Sequence, residues 1–185
     1  MDFLTRGLLA ADWADWATAL AYAIAAVLCW RASRHAAQLA AARERLFWLG
    51  CTLAMPLLGI NELFDFQTLA TMTAKEYAKA SGWYESRRTV QLIFVAVFAA
   101  AALGTLATLG WFVRRMGRPV KIAFGGLVLI GLFIVLRAAT FHHLVEVIAI
   151  GPALTGATVF AEITGIAMVA LAAHFYRSSS HNEGT

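Results

Sequence analysis

The chain has 185 residues, of which 61% are hydrophobic and 14% charged, and its mean hydropathy is +0.69. That is too apolar for an ordinary soluble domain. The formal net charge of +4 and a pI near 9.4 do not point to nucleic acid, because the basic residues stand in short loops between apolar stretches, where charge sets membrane topology.

The N-terminal run MDFLTRGLLAADWADW has no basic start and is acidic ahead of its first apolar stretch. It is expected to stay attached rather than act as a cleaved signal. A bilayer core takes about 20 apolar residues per helix. Five stretches meet or approach that length: residues 13–30, 46–66, 89–112, 122–140 and 157–176. The second is expected to continue as a helix toward residue 80. The fold class predicted is therefore all-α, a single five-helix transmembrane domain over 1–176 with a disordered cytoplasmic tail over 177–185.

Loop charge orients the helices. Arg31, Arg34, Arg43 and Arg45 fill the first loop, Arg114, Arg115, Arg118 and Lys121 the third, and Arg177 opens the tail. The positive-inside rule places these in the cytoplasm, with the N-terminus outside, the C-terminus inside and the bacterial inner membrane as the location. Two aromatic belts agree with this: Trp13, Trp16, Trp83 and Tyr84 outside, and Trp30, Trp48, Trp111 and Tyr176 inside. Cys29 and Cys51 fall near the basic rim, lack metal-ligand spacing, and read as small apolar fillers on a reducing side.

Small residues at four-residue spacing, Ala96, Ala100, Gly104 and Thr108, predict close approach of a neighbouring helix. Gly125, Gly126 and Gly131 thin the fourth span. Pro56 removes a backbone donor below Asn61 and loosens that turn. The polar loop 71–86 is expected to extend the second helix, stop at Gly82 and dip Trp83 and Tyr84 into the headgroups.

Helical rise turns sequence distance into depth. Measured from the basic rim, Glu62 lies ~25 Å up, Arg137 ~24 Å and Glu162 ~22 Å, so three charges on three helices share one layer. Asp65 and His142 follow at ~30 Å and Gln91 at ~35 Å, with Arg88 and His143 at the same rim. Charges at such depth must face the bundle and find partners. Arg137 held between Glu62 and Glu162 is the simplest arrangement, since a guanidinium can fork to two carboxylates. That triad carries a residual charge of −1, which calls for a proton, a cation or Arg88. The candidate ligand-binding or charge layer is thus Asn61, Glu62, Asp65, Arg88, Gln91, Arg137 and Glu162.

A metal set is the second candidate. His142 and Glu146 stand four apart and His143 and Glu146 three apart, both able to share a helical face. With Asp65 or Glu62 they offer oxygen and imidazole ligands for a divalent ion such as zinc, the one cofactor the pattern suits. Adjacent histidines project about 100° apart on a helix, so both could bind together only if the helix ends near Thr140. Haem ligation lacks a second axial residue at matching depth. Ser81, Ser86 and Thr140 have no triad around them. Lys75, Lys79, Arg87 and Arg88 suit lipid phosphates, anionic or lipid-linked.

The strings NELFDFQTL at 61–69, GWYESRRTVQ at 82–91, LRAATFHH at 136–143 and FAEITGI at 160–166 resemble a family of small bacterial multi-spanning inner-membrane proteins. The resemblance covers much of the chain and implies a multi-pass membrane fold, but it brings no activity and no catalytic residues. A looser comparison is with seven-span membrane hydrolases that include alkaline ceramidases. The span count, the paired histidines and the missing serine depart from their pattern, so no residue is carried over.

Two functions follow as expectations. One is an accessory, assembly or sensing and ligand-binding protein whose polar layer fixes packing or receives a partner membrane protein. The alternative is a metal-dependent, hydrolase-like membrane enzyme acting on a lipid-linked substrate at the periplasmic face. A transporter would need charged residues through the inner leaflet, and the sequence offers none.

Overall fold

The computed structural model describes residues 12–64, 87–140 and 151–178. These form five helices: α1 (Trp13–Gln38), α2 (Ala42–Phe64), α3 (Arg87–Val113), α4 (Arg118–Thr140) and α5 (Gly151–Ser178). Four are long and apolar enough to cross a membrane: α1, α2, α4 over Arg118–Arg137, and α5 over Thr158–Ser178. In α3 the apolar segment counted among the described residues is the shorter Ala100–Val113. The chain is a multi-pass membrane protein. Its outward faces present Leu20, Leu53, Leu57, Val97, Leu103 and Phe160, side chains that lipid accepts and water does not. The expected extension of the second helix beyond Phe64, the loop 71–86 and the tail from 179 lie outside the described residues.

The helix ends follow from local chemistry. Asp12 caps α1: its Oδ1 accepts from the Trp13 amide at 2.6 Å, and the Asp12 amide donates to Asp15 Oδ2 at 2.8 Å. Both carboxylates also sit at the positive end of the helix dipole. At the other end Ala41 N donates to Ala36 O at 3.0 Å and Ala40 N to Ala37 O at 3.3 Å, a Schellman closure. Ala40 occupies its left-handed position at φ 54°, where glycine is the usual residue. Pro56 lies within a continuous α2.

Packing runs in the order α2, α1, α5, α4, α3, with α3 touching α4 more lightly than the others touch each other. The core is built from Tyr22, Ala25, Cys29, Trp48, Met55, Val120, Ile130 and Val169. Cys29 and Cys51 are free and buried. Trp48 is fully buried, so it is a core residue and not part of an aromatic belt. Trp30 and Trp111 remain exposed at the rim.

Glycine decides the α4–α5 crossing. A Cβ added at Gly126 would stand 2.6 Å from Gly165 O, and one at Gly165 would stand 2.7 Å from both Gly126 O and Ile130 Cγ1. The two backbones therefore touch. The stripe on α3 plays no such part: Ala96, Ala100, Gly104 and Thr108 are exposed, and a Cβ at Gly104 would meet nothing within 4 Å.

Two opposite effects on stability follow. Gly165→Ala forces backbone apart from backbone and is expected to cost about 2–3 kcal/mol. Ala40→Gly relieves the left-handed turn and is expected to gain about 1 kcal/mol. Unfolding in detergent micelles followed by circular dichroism checks both; a neutral Gly165→Ala would refute the contact.

Candidate functional site

Four polar side chains from four helices meet away from the arginine-rich end. Tyr22 comes from α1, Glu62 from α2, Arg137 from α4 and Glu162 from α5. Arg137 Nη1 donates to Glu62 Oε1 at 2.7 Å and to Oε2 at 2.9 Å. One nitrogen thus serves both oxygens, in place of a two-nitrogen fork. The pair is largely withdrawn from solvent, with side-chain exposures of 26% and 10%. Arg137 Cζ also lies 5.7 Å from the ring centroid of Phe133, one turn below it, a distance at which the ring face attracts a cation.

Glu162 is only 4% exposed. Its Oε1 accepts from the Tyr22 hydroxyl at 3.0 Å, its hydrogen bond among the described residues. The expected triad is accordingly divided into two pairs, Arg137 with Glu62 and Tyr22 with Glu162. The reason lies in helix approach. Gly59 has no side chain, and a Cβ there would stand 3.1 Å from Tyr22 Cβ. Tyr22 can therefore lie deep between α1 and α2, one turn below Glu62, with its hydroxyl reaching α5.

Among the other sequence candidates, Asn61 precedes Glu62 at the end of α2 and is half-buried. Arg88 and Gln91 belong to the first turns of α3, and their side chains lie outside the described residues. So do Asp65, His142, His143 and Glu146. Among the described residues no group of three His, Cys, Asp or Glu side chains is placed to hold a metal.

A second polar knot stands at the arginine-rich end. Glu44 Oε2 accepts from the Tyr176 hydroxyl at 2.6 Å, and Oε1 accepts from the Gly117 amide at 3.0 Å. One carboxylate in the first turn of α2 thereby ties down the end of α5 and the turn between α3 and α4. Around it, His35 meets Tyr176 edge-on at 5.9 Å and Trp48 lies tilted at 5.5 Å. Neither Tyr22 nor Glu44 stands among the candidates that hydropathy and depth single out. Glu44 did carry a signal, as the one acid between Arg43 and Arg45.

Removing half of a buried pair leaves the other half uncompensated. Arg137→Met is expected to cost about 3 kcal/mol, while the double change Arg137→Met with Glu62→Met costs less. Tyr22→Phe leaves Glu162 without its donor and is expected to cost about 1–3 kcal/mol. A double-mutant cycle read by thermal unfolding measures the coupling; strictly additive losses would mean that the pair does not form.

No family model, curated protein or solved structure matches the chain, and function rests on the site itself.

Proposed function

We propose that this is a five-span inner-membrane protein, N-terminus outside, that receives a cationic or proton-donating group of a ligand or partner helix at its outer polar layer. It is a sensing, assembly or accessory protein rather than an enzyme. The observation that carries this reading is the unequal treatment of two carboxylates. Glu62 has a guanidinium, whereas Glu162, the more buried residue, is met among the described residues by a neutral hydroxyl. A buried anion held by a neutral donor is poorly compensated in an apolar setting, and an incoming positive or acidic group stabilises it.

The orientation has support of the same kind. Glu44, Gly117 and Tyr176 hydrogen-bond together, which brings the loop arginines around them to one end. Positive loops face the cytoplasm, so the Glu162 layer belongs to the outer half of the membrane. The fifth span, α3, completes the alternation of loops between the two sides.

Glu162→Gln tests the reading, because the amide oxygen still accepts from Tyr22 while the charge is gone. The variant should melt at or above the wild-type temperature, yet fail to restore a deletion strain. A variant that restores the strain fully would leave the charge without a function. Stoichiometric zinc in purified protein, lost on His142→Ala, would turn the assignment to the metal-dependent enzyme instead.

A further inference from the structure

At the arginine-rich end a recess of about 510 Å³ opens between α1 and α2, lined by Trp30, Ser33, Arg34, Gln38, Arg45 and Leu49 among others. Its charge is entirely positive. Arg34 approaches from the last turns of α1 and Arg45 from the first turn of α2. Neither is paired with a carboxylate among the described residues. The nearest acid in sequence, Glu44, is turned away and committed to Tyr176 and Gly117. Two guanidiniums lining one hollow, one from each helix, suit a phosphate oxyanion better than a point contact does.

The surroundings continue the shape of a lipid. Arg34 Cζ stands 5.3 Å from the Trp30 ring centroid, which fixes the cation at the level where tryptophan marks the headgroups. One turn deeper on each helix the surface becomes apolar and open: Val27 below Trp30, and Leu53 below Leu49, are both exposed. The Ser33 hydroxyl is buried and committed to Trp30 O at 2.7 Å, and Gln38, one turn nearer the rim than Arg34, adds an exposed amide. Cations and an exposed amide toward the rim, with bare aliphatic side chains below, follow the order of headgroup and acyl chain.

We propose that this recess is a headgroup site for an anionic phospholipid of the leaflet at the arginine rim. The site is independent of the Glu162 layer, and it gives part of the basic rim a role beyond topology. A cation near a membrane surface contributes roughly fivefold to binding an anionic lipid. The other rim pairing of the same kind, Arg114 at 5.1 Å from the Trp111 ring, serves as the control.

Native mass spectrometry of the purified full chain, titrated with phosphatidylglycerol, phosphatidylcholine or inorganic phosphate, tests this. Phosphatidylglycerol should bind saturably and in preference to phosphatidylcholine. Arg34→Gln and Arg45→Gln should each weaken it about fivefold, and together about 30-fold. Arg114→Gln with Arg115→Gln removes the same charge and should leave binding near wild type. Ala37→Trp, which fills the recess with every charge kept, should weaken binding as the arginine variants do. The proposal is overturned by equal binding of the two lipids, by an equal loss in the Arg114 and Arg115 variant, or by an Ala37→Trp variant that binds normally. Displacement of the lipid by inorganic phosphate at matching concentration would also overturn it, making the recess a site for a free anion.

Discussion

Arg137 can stand among apolar helices because Glu62 meets it at 2.7 Å, and the closure of the bundle depends on that meeting. By packing, the helices form a row in which α2 and α4 are not extensive neighbours. Dispersion and small-residue contact hold adjacent members of the row, as at Gly126 and Gly165, but they offer nothing between its two sides. An ion pair reaches farther than a methyl contact, and in lipid its alternative is an exposed charge. The pair therefore turns a row into a closed set. Tyr22 and Glu162 cross the same interior from α1 to α5.

The opposite end solves a similar problem with neutral donors. Glu44 takes a phenol and a backbone amide, and through them α2 holds α5 and the α3–α4 turn. Helix α5 is used twice, accepting through Glu162 and donating through Tyr176, 14 residues and roughly 21 Å apart. Two such fixings at separate heights set both the rotation and the axial position of α5. Apolar packing alone is weak at this in a membrane, because lipid tails compete with side chains for the same contacts.

How much of this the sequence carried depended on whether the signal was local. Hydropathy and helical rise located the helices and put Glu62, Arg137 and Glu162 at one depth, since both quantities are properties of a single helix. Pairing is a relation between helices, and there the expectation failed. Height alone predicts Arg137 bridging two carboxylates; it contains neither Tyr22, which stands in an apolar run, nor the packing of that tyrosine against Gly59. Height alone places Trp48 in a belt, while rotation about the helix axis, which height does not contain, turns it into the core. The glycine contact was half legible: Gly126 stood out in the fourth span, but its partner Gly165 needed the crossing itself.

The proposed role of the Glu162 layer rests on the excess of carboxylate over cation among the described residues. A layer serving only to lock helices gains nothing from a second acid; an apolar residue of the same volume packs as well or better, because a buried charge must be desolvated before it can be paired. Glu62 is explained by Arg137. Glu162 has no ion-pair partner among the described residues, is more buried than Glu62, and is furnished with a hydrogen-bond donor that orients it. An oriented carboxylate in a low-dielectric interior gains strongly from an arriving positive charge or proton. The helix that bears it is, like α2, fixed at both ends, so a change in its charge acts on an element that helps to hold the rest together.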